Sequence, residues 1–275
     1  MNLLLDADYS SIEARIVCWL AGQEDALDEY RQGIDRYRRM ASVIYGVPES
    51  EVNKHPQRFV GKQATLVCGY GMGPPKFRLT CKKMGGYDLP EGIEDKAVRA
   101  FRKVHAKVVK LWRDLEDAAL KAVAKKGEVF RVGKHLSFQC ITTGGITFLF
   151  MRLPSGRKLA YPHPKIVPGK FEGTTAVSYY TNIKGTKWGH ISTWGGTWCE
   201  QACQAVAADI MANGASNAER EGYQIATLIH DQALAFHQSG QTVERFVELL
   251  TDLPSWAAGL PIAAEGSLVP FYKKD

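Results

Sequence analysis

Two short apolar runs, one near each end of the chain, each give way to an aspartate. Leu3-Leu4-Leu5 leads into Asp6 and Asp8 just before a helical pattern of Ile12, Val17, Trp19 and Leu20. Tyr223–Ile229 leads into His230-Asp231-Gln232, and a second apolar run, Ala233–Phe236, follows. Runs of this length bounded by polar residues read as buried strands. Asp8 then stands where a strand meets a helix, and Asp231 projects from the tip of a hairpin. Each aspartate alone reads as a cap or a turn residue. If the strands share one sheet, however, acids more than 220 residues apart in sequence meet. The fold must then bring both ends of the polypeptide together. Two carboxylates do not sit close, ionised and dry, without a compensating charge, and divalent cations supply one. Oxygen ligands suit Mg²⁺. A pair of such ions about 4 Å apart activates an attacking oxygen and stabilises a leaving one in phosphoryl displacement.

Between the two ends the chain reads as mostly helical. Glu24–Gln32 and Asp35–Tyr45 are helical stretches divided by Gly33, with Asp35 placed to cap the second. Pro48 and Glu49–Glu51 mark a short helix or turn. A longer helix is expected from Pro56 to the glycines at 69, 71 and 73. On it Arg58, Lys62, Leu66 and Tyr70 recur at steps of four, a stripe about 18 Å long. Two cations followed by an aliphatic and an aromatic side chain suit a phosphate tail and a flat base; a surface pair beside core residues is the competing reading. Residues 93–126 read as one or two packing helices without chemistry. From Val129 the period changes, and Val129–Val132, Ile146–Leu153, Arg157–Tyr161 and Val177–Thr181 read as strands, with Pro162–Pro168 as a turn. A helix from about Thr197 to Ala218 follows, with Thr197, Glu200, Gln204 and Ala208 on one face and Gln201 beside it. The chain closes on a short strand and a basic tail, Lys273 and Lys274.

Composition adds little. The net charge of +6 and pI near 8.9 are compatible with a nucleic-acid partner without demanding one. No apolar run is long enough for a membrane span, and the first residues do not read as a signal peptide. The cysteines form no Cys-x-x-Cys pair, so reduced thiols in a cytoplasm are expected.

Three motifs, in this order, resemble one family. Asp8-Tyr9-Ser10-Ser11-Ile12-Glu13-x-Arg15 is similar to motif A of the family A DNA polymerases, the bacterial DNA polymerase I type. Arg58-x₃-Lys62-x₇-Tyr70-Gly71 resembles motif B, and Leu228-Ile229-His230-Asp231-Gln232 resembles motif C. Trp19-Leu20-Ala21-Gly22, Leu153-Pro-Ser-Gly-Arg157, Trp194-Gly-Gly196 with Glu200-Gln201, and Ala263-Ala-Glu-Gly266 look like stretches of the bacteriophage members.

The resemblance implies an α+β fold: a right-hand polymerase palm with an antiparallel sheet and a mainly helical fingers insertion. The palm would take residues 1–17 and 194–275, the fingers 18–193, with an inserted β-hairpin region at about 129–190. It implies two Mg²⁺ ions, with Mn²⁺ as a substitute, held by Asp8, Asp231 and the backbone carbonyl of Tyr9. Lys62 would protonate the departing pyrophosphate. Arg58, Lys62, Leu66, Tyr70, Tyr37 and Ser11 would line the nucleotide, and Glu13 would exclude a ribose 2′-hydroxyl. Gln204, Glu200, His230 and Gly71 would face primer and template. The implied reaction is template-directed transfer of dNTPs to a primer 3′-hydroxyl, in the cytoplasm of a bacterial host if phage-encoded.

There are departures from the family pattern. Leu66 stands where relatives carry Phe or Tyr, Gln232 where they carry Glu, and Gln201 where phage relatives tend to carry Asn. Met1 lies seven residues before Asp8, so thumb and 3′–5′ exonuclease regions are expected on a second polypeptide, with part of the palm sheet edge open. The rival expectations are a polymerase remnant serving as an assembly or DNA-binding subunit, and a thumbless, primase-like nucleotidyl transferase.

Overall fold

A block of helix signals precedes a block of strand signals, and the computed structural model, which describes residues 3–183 and 185–272, resolves them in order. β1 (Leu4–Tyr9) is followed by α1 (Ile12–Ala21), α2 (Glu24–Arg31), α3 (Arg36–Tyr45), α4 (Phe59–Val67), α5 (Pro74–Gly85), α6 (Ile93–Val104) and α7 (Ala106–Ala124). Next come β2 (Val129–Val132), β3 (Leu136–Thr143), β4 (Ile146–Arg152), β5 (Lys158–Pro162), β6 (Lys165–Pro168), β7 (Thr175–Ile183) and β8 (Lys187–Ser192). The chain ends with α8 (Gly195–Arg220), β9 (Gln224–Ile229), β10 (Gln232–Phe236), α9 (Val243–Thr251) and β11 (Ala264–Val269). The fold is α+β with antiparallel sheets, as expected. Lys273 and Lys274 lie outside the described residues.

The residues group into two compact units, Met1–Ile16 with Cys203–Asp275, and Val17–Ala202. In the first, the ends of the chain do share one sheet, ordered β11-β1-β10-β9. Both neighbours of β1 run antiparallel to it, with Asp8 opposite Gln232 on one side and Glu265 on the other. Alternation sends Leu5, Ala7 and Tyr9 to the core and Leu4, Asp6 and Asp8 to the opposite face. Helix α9, whose Thr242 side chain accepts a hydrogen bond from the Arg245 N–H at 3.2 Å, buries Phe246, Leu249 and Leu250 within this unit. The Tyr9 hydroxyl donates to the Leu250 carbonyl at 2.7 Å and so ties β1 to that helix. β9 was expected as a buried strand; instead it is a sheet edge whose side chains are mostly exposed, Leu228 by 40%.

In the second unit the stretch around 129–190 is more than a hairpin region. It forms a four-stranded sheet, β2-β3-β4-β5, and a three-stranded one, β6-β7-β8. Phe138, Leu149, Met151 and Tyr161 bury one side, joined by Trp198 of α8. The 93–126 stretch resolves as two helices, broken at His105.

His105 is buried and stacks on Phe101 at 4.4 Å. Its Nε2 lies 2.7 Å from the Nη2 of buried Arg36. Arg36 also donates to the Ala26 carbonyl and to Glu29. Burial, and then the Arg36 charge, push His105 down to about 4, so the ring stays neutral and accepts from the guanidinium.

Candidate active site

The acids of the first unit cluster at one end of its sheet. β1 carries Asp8 on its outer face, and the β9–β10 turn, with His230 at φ 56°, presents Asp231. The Tyr9 N–H donates to the Asp231 carbonyl at 2.9 Å, which pins that turn against the end of β1. His230 Nδ1 lies 2.9 Å from Asp231 Oδ1. Partial burial of the Asp8 carboxyl, then the charges of Asp231, Asp6 and Glu265, push its pKa up to about 6; His230 pulls weakly the other way. The structure thus places the Asp8 and Asp231 carboxyls at one end of the sheet, near enough for the Asp231 charge to act on Asp8, with Asp6 and Glu265 acting on it too.

Among the described residues no group of three or more His, Cys, Asp or Glu side chains is arranged to hold a metal ion. What this unit offers is a pair of aspartates within a crowded negative field. That donor set fits a hard cation that keeps several waters and takes its remaining oxygens from a substrate. The Tyr9 side chain turns into the core, on the face away from Asp8.

Beside this cluster Ser11 takes φ 54° at the turn into α1. Glu13 follows in the first turn of that helix and accepts a hydrogen bond from Gln204 Nε2 at 2.7 Å. Two residues 191 apart in sequence, both expected at the site, thus contact each other directly. Arg15 fixes the start of α1 by donating to the carbonyls of Ser10 at 2.7 Å and Pro261 at 3.0 Å. The Tyr272 hydroxyl donates to the side-chain oxygen of Gln232 at 3.2 Å.

In the second unit the cations gather where α3 and α4 cross. A methyl group on Gly61 would collide with the Tyr37 carbonyl and with Ala41, so only glycine permits this approach. It brings the Tyr37 ring beneath both cations, 5.3 Å from the Arg58 guanidinium and 5.9 Å from the Lys62 ammonium. Asp35 caps α3 through Oδ1, which accepts from the N–H of Tyr37 at 3.1 Å and of Arg38 at 3.0 Å. Its Oδ2 accepts from Arg58 Nε at 2.7 Å. Burial pushes the Asp35 carboxyl up, but the Arg58 hydrogen bond, the two N–H groups and the Arg58 charge outweigh it and hold the pKa below the usual carboxylate value. Only the capping was legible in the sequence. The ion pair spans 23 residues and depends on the crossing.

The four-step stripe needs correction. Residues 54–58 form an irregular turn with a non-helical His55, and α4 begins at Phe59. It ends at Val67, and Cys68–Tyr70 tighten into a 3₁₀ turn before Gly71 at φ 76°. Arg58, Lys62 and half-buried Leu66 follow one helical face, but Tyr70 belongs to the turn beyond it.

Trp194, Gly195 and Gly196 hold that turn. Side chains at Gly71 and Gly196 would both strike the Trp194 ring, one at Gly196 would also strike the Tyr70 carbonyl, and one at Gly195 would strike the Trp112 backbone. Trp112 Nε1 donates to the Gly69 carbonyl at 2.8 Å. Trp112, read from the sequence as packing alone, thus fixes the turn that carries Tyr70. Glu200 is exposed on α8, and Gln201 donates to the Tyr179 hydroxyl at 3.1 Å.

Comparison with known proteins points to one family. The profile of DNA polymerase family A matches residues 1–119. A DNA polymerase of Bacillus phage SP02 is 36% identical over 272 residues, 98% of this chain and 41% of the relative. The chain is similar to the family A DNA polymerases. DNA polymerase I of Aquifex aeolicus is 29% identical over 128 residues, 46% of this chain and 21% of that protein. The polymerase domain of Pol1 from M. smegmatis, solved with DNA primer-template and dNTP, superposes with a TM-score of 0.60 at 17% identity, over 97% of this chain and 39% of that one. The chain thus spans about two-fifths of the phage polymerase that it matches over almost its whole length. Among its described residues no helix is long and apolar enough to cross a membrane.

Proposed function

We propose that this chain carries the palm and fingers chemistry of a family A polymerase: template-directed transfer of a deoxynucleotide to a primer 3′-hydroxyl. The observation that carries the reading is the Asp8–Asp231 cluster, in which partial burial and then neighbouring like charges raise one carboxyl toward neutrality. Asp8 and Asp231 would hold two Mg²⁺ ions, with the Tyr9 carbonyl as a further oxygen ligand. Bound there, the ions would supply Lewis-acid activation of the 3′-hydroxyl and charge stabilisation of the leaving pyrophosphate.

The remaining work falls to the chain's own groups. Arg58 and Lys62, seated over the Tyr37 ring, hold the triphosphate, and Lys62 gives its proton to the departing pyrophosphate oxygen. Leu66 and Tyr70 bound the space for sugar and templating base, and Gly71 leaves room for the template. Ser11 turns the chain so that Glu13, held by Gln204, crowds a 2′-hydroxyl. Glu200 and His230 lie toward primer and template. The reaction belongs in a compartment that holds DNA and dNTPs, the cytoplasm of a bacterial host.

The test is Mg²⁺-dependent extension of a labelled primer-template, with and without polypeptides copurified from the native source. Wild type should extend, and Asp8→Asn and Asp231→Asn should each lose at least 10³-fold, as expected when a metal ligand for phosphoryl transfer is removed (on the order of 4 kcal/mol). Equal extension by wild type and both variants would overturn the reading.

A further inference from the structure

A second surface of the chain has the chemistry of a nucleic-acid platform, on the three-stranded sheet of the Val17–Ala202 unit. On β7, Val177 and Tyr179 turn into the core, where the Tyr179 ring packs 4.9 Å from Tyr161 and 6.0 Å from Trp198. The alternate positions face the other way, Ser178 buried, Tyr180 half-buried and Asn182 exposed, and register places Ser192, His190 and Trp188 of β8 beside them. Lys165 of β6 lies opposite Ser178.

A solvated sheet face ordinarily carries polar and charged side chains. This one carries a run of rings. Tyr180 stacks on Trp188 at 6.0 Å and 25°, and meets His190 edge-on at 5.5 Å and His163 at 6.0 Å. Trp188 is 63% exposed, and His163, His190 and Lys165 are exposed as well. The Ser178 hydroxyl lies 3.2 Å from His190 Nδ1 and fixes that ring's orientation. Residues 163–192 contain Lys165, Lys170, Lys184 and Lys187 against the single acid Glu172, so the segment carries a net +3 with its histidines neutral. Cross-strand aromatic pairs can serve a sheet alone. Here, though, the core-facing side of the sheet already has its own aromatic cluster.

We propose that the outer face of β6-β7-β8, through Trp188, Tyr180, His190 and Lys165, binds single-stranded DNA, with bases stacking on the rings and phosphates paired with the lysines. Open rings with π-faces accept any base, whereas a duplex keeps its bases stacked inside and offers this face only phosphates. The site stands on its own residues and goes beyond the polymerase reading.

The test uses the whole chain in EDTA, so that the Asp8–Asp231 cluster plays no part. Fluorescence anisotropy is measured with labelled oligo-dT, oligo-U and a duplex of equal length. Trp188→Ala should weaken oligo-dT binding about tenfold, within the range for loss of one stacked base, and Trp188→Phe should recover most of it. Lys165→Gln should lower the slope of log affinity against log salt by about 0.7. Photocrosslinks from 5-iodouracil substituted into the oligo-dT, made with wild-type protein and mapped by mass spectrometry, should fall on residues 163–192; this arm needs no variant to fold. The proposal is overturned if Trp188→Ala binds oligo-dT as wild type does. Crosslinks mapping elsewhere, oligo-U binding tenfold more tightly than oligo-dT, or an equal loss of duplex binding in Trp188→Ala would overturn it too.

Discussion

Replacing Asp35 separates two roles of one carboxylate. Oδ1 caps α3, and Oδ2 holds the Nε of Arg58. Asp35→Ala removes both; Asp35→Ser keeps a capping oxygen and removes only the ion pair. The lost cap costs about 1 kcal/mol. The ion pair, with side chains 34% and 37% exposed, is worth about 0.5 kcal/mol after solvent screening. Asp35→Ala should therefore lower the melting temperature by about 3–6 °C and Asp35→Ser by about 1–2 °C, using about 2–4 °C per kcal/mol for a chain of this size. The pH dependence has a definite sign. The native carboxyl is held below its unfolded value, so its contribution is fully present above about pH 4 and is lost as pH falls through the lower native pKa. The gap between wild type and Asp35→Ala should close in acid. Pairing through Nε does not use the two terminal nitrogens of Arg58, the pair that grips a phosphate bidentately. On the polymerase reading, Asp35→Ser should raise the KM for dNTP several-fold while changing kcat less. Differential scanning calorimetry at pH 7.5 and pH 3.5 measures the stability terms. Equal melting of the Ser and Ala variants, or a gap that widens in acid, would refute the reasoning.

Other outcomes follow from the same geometry. Native His105 titrates near 4 rather than at its ordinary value, so the unfolded chain takes up its proton first and stability falls as pH drops from about 6.5 toward 4, by on the order of 3 kcal/mol. Urea titrations of His105→Gln should lose most of that slope, and an unchanged slope would count against the buried Arg36–His105 pair. Gly61→Ala drives a methyl group into the α3 backbone and should cost about 3 kcal/mol or more, read as a melting temperature lower by about 6–12 °C; wild-type melting would mean the helices do not cross there. Leu66 has no hydroxyl, so wild type should discriminate against dideoxynucleotides and Leu66→Tyr should accept them more readily. Equal incorporation by wild type of both nucleotide types in a primer-extension assay would refute this.

The pairing of the chain ends was readable because apolar runs that stop at polar residues leave few options besides strands and turns, and Asp35 was readable as a cap because capping is local. What escaped the sequence was non-local or disguised. β6 is Lys-Ile-Val-Pro directly after Pro164 and reads as a turn, and β8 carries a glycine in its middle. The end of α4 at Val67 follows from glycines that also admit the Trp194 ring, a contact no spacing rule anticipates. The partners of Arg58 and of Gln204 come from elements 23 and 191 residues away, which are neighbours only once the helices and strands have packed.

The central claim is that Asp8 and Asp231 together make a divalent-cation site. Electron paramagnetic resonance of free Mn²⁺, titrated with the purified chain at pH 7.5 in the presence of a dNTP, tests this directly and requires no turnover. The account predicts saturable Mn²⁺ uptake that either Asp8→Asn or Asp231→Asn abolishes, with both variants still folded by circular dichroism. Uptake unchanged in both variants would contradict it.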